Sequence, residues 1–204
     1  MGYLTKLDAV NRILRGASEN PVSSLEDTLI NETLMAESVL DEINIKEQMV
    51  GLHNNTVVIE MEPDVDDHII LPDTTLQVYA WYLPDGGKSS LEYRLSTQGD
   101  NPTYLFDVEN NTIEFDESIV VKYTQLVDFD DLPTAQQFRI TDMAAQVYQM
   151  AVQGDRMTND MLQSIALHSR AVGRAADMRE YRANAFLTGR SGPKQIRRVP
   201  RNWW

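Results

Sequence analysis

The densest group of chemistry-bearing side chains is Glu60, Glu62, Asp64, Asp66, Asp67 and His68. On an extended strand Glu60, Glu62 and Asp64 would project from one face, because side chains alternate along a strand. Hard oxygen ligands of this kind suit Ca²⁺ or Mg²⁺, so one candidate chemistry is a divalent-metal hydrolase built on this cluster. The simpler reading is a solvated strand face that runs into an acidic loop. A second acidic group, Asp128, Asp130 and Asp131, precedes Leu132-Pro133. Asp131 there would favour the positive end of a helix dipole. Gly87-Lys88-Ser89 imitates the end of a phosphate-binding loop, but that motif needs a further Gly five positions earlier, where Tyr82 stands. Asp85-Gly86-Gly87 reads as a turn instead. Tyr79, Trp81 and Tyr82 could stack on a base or a sugar, and strand packing explains them without a ligand. His53, His68 and His168 fall in no His-Glu-x-x-His pattern, and neither Gly-x-Gly-x-x-Gly nor Gly-x-Ser-x-Gly occurs. A paired-carboxylate hydrolase would need one acid in an apolar pocket, and no such pocket is legible. The absence of Cys excludes a thiol nucleophile, a Cys-based zinc site and a disulfide scaffold. The expectation is a protein without catalytic residues, metal or cofactor.

The C-terminus carries a different chemistry. The segment 189–204 has no hydrophobic periodicity, contains Pro193 and Pro200, and holds Arg190, Lys194, Arg197, Arg198 and Arg201 with no acid. It cannot form a core of its own and reads as an arm that orders on a partner. Two terminal indoles, Trp203 and Trp204, are a poor choice for a free monomer. Trp and Arg dominate the hot spots of protein–protein interfaces. Ile196 and Val199 add apolar contacts, so the candidate partner-binding residues are Arg190, Lys194, Ile196, Arg197, Arg198, Val199, Arg201, Trp203 and Trp204. Fully extended, such an arm reaches about 50 Å.

The net charge of −13 is unevenly placed. Residues 1–169 hold 9 basic and 29 acidic side chains, a balance of −20, whereas 170–204 hold 9 basic and 2 acidic, a balance of +7. An acidic body with a basic end reports an interaction tail. The body should not bind DNA strongly, because affinity for the phosphate backbone comes from Lys and Arg. At 204 residues the chain is long enough to bury a full core. No apolar run approaches a membrane span, and the N-terminus has no apolar stretch of the kind a signal peptide needs.

These groups must be positioned by helices, then strands, then helices. Thr5 and Asp8 form a capping-box pair before Leu7, Val10, Ile13 and Leu14, with Gly16 as a stop. Ser23 and Glu26 are a second such pair, predicting a helix from Ser23 to about Met49 with Leu25, Leu29, Ala36, Leu40 and Ile43 on one face and Glu42–Lys46 as a surface pair. The period then changes to two. Val57, Ile59 and Met61 alternate with Val58, Glu60 and Glu62, and Leu76, Val78, Ala80 and Tyr82 alternate with Gln77, Tyr79, Trp81 and Leu83. Tyr104, Phe106 and Val108, then Ile113 and Phe115, flank Asn110-Asn111 and predict a hairpin. Ile119, Val121 and Tyr123 predict another strand. Pro133 suits a first helical turn, and Ile140, Met143, Ala144, Val147 and Ala151 give that helix its stripe up to Gly154. A longer helix follows over about Thr158–Leu187. The expected fold is α+β, a helical bundle of two N-terminal and two C-terminal helices with an inserted small antiparallel β domain and an extended C-terminal arm. The expected divisions are 1–54, 55–127, 128–188 and 189–204.

Several strings resemble the tail tubular protein A family, the head-to-tail adaptors of short-tailed bacteriophages. They are Ala9-Val10-Asn11-Arg12-Ile13-Leu14, Pro21-Val22-Ser23-Ser24-Leu25-Glu26, Ile70-Leu71-Pro72-Asp73, Tyr104-Leu105-Phe106-Asp107 and Asp128-Phe129-Asp130-Asp131-Leu132-Pro133. The resemblance covers about residues 5–155. Where family members often carry Gly-Trp after the second helix, this chain has Gly51-Leu52. The resemblance implies a non-enzymatic virion component, made in the host bacterial cytoplasm. Twelve copies would form a ring between the portal protein and a tail nozzle of the tail tubular protein B kind, with tail fibres as a further partner. DNA would pass through the lumen without specific binding, and no membrane would be involved. The C-terminal part would grip the portal. The alternative from the residues alone is a nucleic-acid-binding module that uses the basic arm.

Overall fold

The computed structural model describes residues 4–26, 31–79, 93–97, 103–108 and 110–188, with the backbone alone at 93–97 and 180–188. Helix α1 spans Lys6–Gly16 and begins with the predicted capping box. Thr5 Oγ1 accepts from the Asp8 amide at 3.2 Å, and Asp8 Oδ2 accepts from the Thr5 amide at 3.2 Å. The Thr5 hydroxyl and amide together hold the Asp8 carboxyl below its ordinary pKa. Helix α2 spans Asn31–Met49. The helix expected from Ser23 does not begin there: residues 21–26 form bends, and Ser24 Oγ accepts from the Glu26 amide at 3.1 Å. Asn11 supplies the reason. Its side chain donates to the Val22 carbonyl at 2.9 Å and accepts from the Val22 amide at 2.7 Å. That two-point clamp ties the segment to α1 in a non-helical form, and Leu25 packs on the helical core from there.

Helix α3 spans Thr134–Val152 and α4 spans Arg156–Thr188. Gly154 turns the chain between them at φ +62°, a backbone region open to Gly at little cost. The Thr158 amide then donates to Asp155 Oδ2 at 2.8 Å, an N-terminal cap of the usual kind. At 33 residues, α4 is about 50 Å long.

The helical core is built from α1, α2 and α3. Ala9, Val10, Ile13 and Leu14 of α1 meet Ala36, Leu40 and Ile43 of α2 and Ile140, Ala144 and Tyr148 of α3. Of the predicted α3 stripe only Ile140 and Ala144 are among the ten buried residues of the helix. Val147 is 43% exposed, and Ala151 is exposed too. Gln136, Gln137, Arg139, Thr141, Asp142 and Gln149 are buried instead. The cause is that α3 is covered on a second side by α4.

Among the described residues six strands lie between α2 and α3 in the chain. They are β1 (Thr56–Met61), β2 (Ile70–Leu71), β3 (Thr75–Tyr79), β4 (Tyr93–Thr97), β5 (Thr103–Asp107) and β6 (Ile119–Gln125). They form two antiparallel sheets, β1-β6-β3 and β2-β5-β4. Ile69, Leu71, Leu105, Phe115, Ile119, Val121 and Tyr123 make a second core that draws on both sheets. The predicted strand face of β6 is thus buried. In β1 the alternation weakens, since Ile59 is 47% exposed on an edge strand. In β5 the inward residues are Leu105 and Asp107 rather than Tyr104 and Phe106. Asp107 goes inward because it organises the turn, accepting from the Asn110 amide at 3.1 Å and the Asn110 side chain at 2.8 Å. The turn is the predicted one, with Asn111 at φ +52°. Its return limb makes isolated bridges, Asp107 to Thr112 and His68 to Glu114, in place of a strand.

The chain leaves and re-enters the helical part at one place. Gln48 at the end of α2 is fully buried. Its Nε2 donates to the Val127 carbonyl at 2.8 Å, and its Oε1 accepts from the Val127 amide at 2.8 Å. Asn55 Nδ2 donates to the Gln48 carbonyl at 3.0 Å, and Asn55 Oδ1 accepts from the Leu52 amide at 2.7 Å. Gly51, at φ +81°, makes the intervening bend.

Helix α4 is held on α3 by polar pins. Asp142 accepts from Arg12 Nε of α1 at 2.8 Å and from the Ser169 hydroxyl of α4. Gln136 Nε2 donates to the Gly173 carbonyl at 3.1 Å. Arg139, buried under Gly173, pairs with the buried Glu47 of α2. Burial pulls the Arg139 pKa down, the Glu47 charge opposes that, and Arg170 and Arg174 add to the lowering.

Two stability outcomes follow from these contacts. Gln48→Ala strands the Val127 amide and carbonyl and should cost about 1–3 kcal/mol, read as a lower denaturant midpoint with an unchanged slope. A Cβ on Gly173 would lie 2.9 Å from Arg139 Cδ, which its ion pair holds in place. Gly173→Ala should therefore destabilise by about 1–3 kcal/mol, although Ala is the better helix former by about 1 kcal/mol. A stabilised variant in the same denaturation series would show that α4 rides loosely on α3.

Candidate interaction surface

The acidic cluster does not assemble as a ligand set. Strand β1 ends at Met61, so Asp64 lies beyond it and shares no strand face with Glu60 and Glu62. Glu60 Oε1 accepts from the Ser118 hydroxyl at 2.7 Å. Asp64 Oδ1 accepts from the amides of Asp66 and His68, each at 2.9 Å. These bonds, that from His68 foremost, hold the exposed Asp64 carboxyl below its ordinary pKa. The result is a solvated turn. His68 closes it by packing edge-on to Tyr104, with ring centroids 5.0 Å apart. Among the described residues no group of three His, Cys, Asp or Glu could hold a metal ion.

The other sequence candidates separate in the same way. His168 lies exposed on α4, whereas the His53 amide donates to Asp177 of α4 at 2.7 Å. Tyr79 donates to Gln77 Oε1 at 3.2 Å and carries the Lys122 ammonium 5.4 Å from its ring centre. Trp81, Tyr82, the Gly87-Lys88-Ser89 string and the arm residues Arg190, Lys194, Ile196, Arg197, Arg198, Val199, Arg201, Trp203 and Trp204 lie outside the described residues. Asp131 is exposed in a 3₁₀ turn, Phe129–Asp131, just before α3. Its neighbour Asp130 accepts from the Lys6 amide at 2.8 Å.

That bond marks one edge of a cleft of about 490 Å³ between the start of α1, α2 and the segment 126–131. Lys6 Nζ lies there, 2.9 Å from Glu37 and 3.0 Å from Asp41. Desolvation alone would lower the Lys6 pKa, but the hydrogen bonds and charges of Glu37 and Asp41 outweigh it and leave the ammonium above its ordinary value. The lysine is a neutralised strut, with no feature of a general base. Asp41, Asp128, Asp130 and Asp131 leave the cleft acidic.

What the molecule does present is unpartnered helix surface. Along α4, Met157 is 84% exposed, Met161 65%, Leu167 59% and Met178 57%. Along α2, on the side away from the core, Leu34, Met35, Ile45 and Met49 are each about two-fifths exposed. The sequence pattern marked one face of α2 as apolar and overlooked the other. Its signal was present in Leu34, Ile45 and Met49, which follow helical spacing on the opposite side from Ala36, Leu40 and Ile43. A helix that is apolar on two sides has two things to cover. Among the described residues no helix is long and apolar enough to cross a membrane. Several large apolar side chains exposed along one helix are a feature of surface that another protein covers.

A family model described as tail tubular protein matches residues 7–183. A comparison with curated proteins returns no match. The matched stretch takes in α1, α2, both sheets, α3 and most of α4, which is the whole framework that carries these surfaces. The chain therefore belongs to the tail tubular protein family, a family of structural proteins of the phage tail.

Proposed function

We propose that this protein is the head-to-tail adaptor of a short-tailed phage: a ring, of twelve copies, between the portal protein and the tail nozzle, forming part of the DNA ejection channel. The observation that carries the reading is the way α4 is held. It is 33 residues long and pinned to α3 by buried polar contacts, its outer side exposes Met157, Met161, Leu167 and Met178, and it ends where the basic segment 189–204 begins. A rigid strut that leads into a basic, Trp-ended arm suits a subunit anchored on a neighbouring ring. In this reading Arg190, Lys194, Arg197, Arg198 and Arg201 meet acidic portal surface, while Ile196, Val199, Trp203 and Trp204 fill apolar pockets on it. The balance of −20 over residues 1–169 supports a channel wall that repels DNA phosphates and lets the duplex slide. The nozzle and the tail fibres are the partners on the far side, and the protein acts without catalysis, cofactor or metal.

Co-sedimentation with purified portal rings tests the reading, using the full chain and a truncation ending at Thr188. The full chain should pellet with portal, and the truncation should lose most of that binding. If neither pellets while the full chain shifts duplex DNA at low salt, with a steep loss of affinity as salt rises, the basic arm is a nucleic-acid module and the adaptor reading falls.

A further inference from the structure

The adaptor reading requires copies to stand side by side, and the two unpartnered faces suggest how. We propose that the outer face of α4 in one copy seats on the outer face of α2 in the next, a head-to-tail contact that repeats around the ring. The inference rests on the adaptor reading only for the ring itself.

Three observations favour a second copy as the occupant. The first is position. Helices α2 and α4 both pack on α3, yet the apolar core is made by α1, α2 and α3, with no described side chain of α4 in it. The outer faces of α2 and α4 therefore belong to different flanks of one bundle. The second is level. Glu47 of α2 and Gly173 of α4 both meet Arg139 of α3. Toward the other end of α3, Tyr148 donates to the Glu32 carbonyl of α2 at 3.4 Å, while Ala145 of α3 and Leu162 of α4 both lie beside Gly16. The two faces thus cover the same height of α3 and run in the same direction. A rotation about an axis along the bundle brings one against the other without an axial slip. The third is charge. Helix α2 carries Glu32, Glu37, Asp41 and Glu42 on its surface, against its own Lys46 and the Lys6 ammonium that Glu37 and Asp41 hold. Helix α4 up to Arg179 carries the exposed Arg156, Arg174 and Arg179 against the exposed Asp160, whereas Arg170 and Asp177 are half-buried toward Arg139. The surfaces of the two helices are therefore opposite in net charge, so α4 of one copy would meet its opposite on α2 of the next. Two different complementary faces make a heterologous contact, which closes into a ring when the rotation closes.

The chain has no Cys, so introduced thiols report cleanly. Ile45→Cys on α2 and Val172→Cys on α4, made singly and together, are treated with a short bis-maleimide, free in solution and in the presence of portal rings. The double variant should give a ladder of dimers, trimers and larger species in at least one of the two conditions. Each single variant should remain a monomer band, and Leu167→Glu added to the double variant should reduce the ladder at least tenfold. Dimers from either single variant would mean that a face meets itself and would overturn the proposal. A double variant that gives no ladder in either condition would also overturn it. Pelleting with portal separates the two readings. Pelleting without a ladder leaves the adaptor role standing and this contact wrong, whereas a ladder without pelleting does the reverse.

Discussion

The burial of α3 from two sides is the constraint on which the rest of the helical part depends. A helix packed on one side needs a single apolar stripe. Helix α3 is met by α1 and α2 on one side and by α4 on another, so polar side chains such as Arg139, Asp142 and Gln136 go inside with the apolar ones. A buried charge must find a partner or it costs several kcal/mol. Arg139 finds Glu47 on α2, and Asp142 finds Arg12 on α1 and Ser169 on α4. Such pairs add little net stability over apolar packing, but they work in one register only. They set where α4 sits along α3, and Gly173 lets it sit close. The orientation of the long helix follows from these few contacts.

The second structural economy is at the neck between helices and strands. Both chain crossings are bound into one small network around Gln48 and Asn55. Gln48 pairs with the Val127 backbone as a neighbouring strand would, using one amide donor and one carbonyl acceptor. Because every polar atom in that pairing is buried or half-buried, competition from water is weak and the geometry is well specified. The strands carry a separate core shared between two small sheets, and the neck is where their placement relative to the helices is decided.

Much of the fold is legible in short stretches of the chain. The capping box at Thr5 and Asp8, the stops at Gly16 and Gly154, the buried strand face of Ile119, Val121 and Tyr123 and the Asn110-Asn111 turn all depend on chemistry within a few residues, and local chemistry is what a sequence displays. The features that are not legible are long-range. The helix expected from Ser23 yields to the clamp between Asn11 and Val22, and the expected return strand after Asn111 shrinks to isolated bridges. The acidic cluster resembles a ligand set only if Asp64 shares a strand with Glu60, and that strand ends at Met61.

Composition and short-range pattern were enough to set the order of helices and strands, the absence of thiol chemistry and the separation of an acidic body from a basic end. Those properties survive any arrangement of the elements. It took the packing of the elements on one another to settle which polar residues are interior and which of the two apolar sides of α2 is core. The same packing leaves α4 outside the apolar core, with Met157, Met161, Leu167 and Met178 uncovered. The difference arises because burial is a property of neighbours. A periodic stripe shows that a face needs covering, and only the packed structure shows whether this chain covers it or leaves it for another.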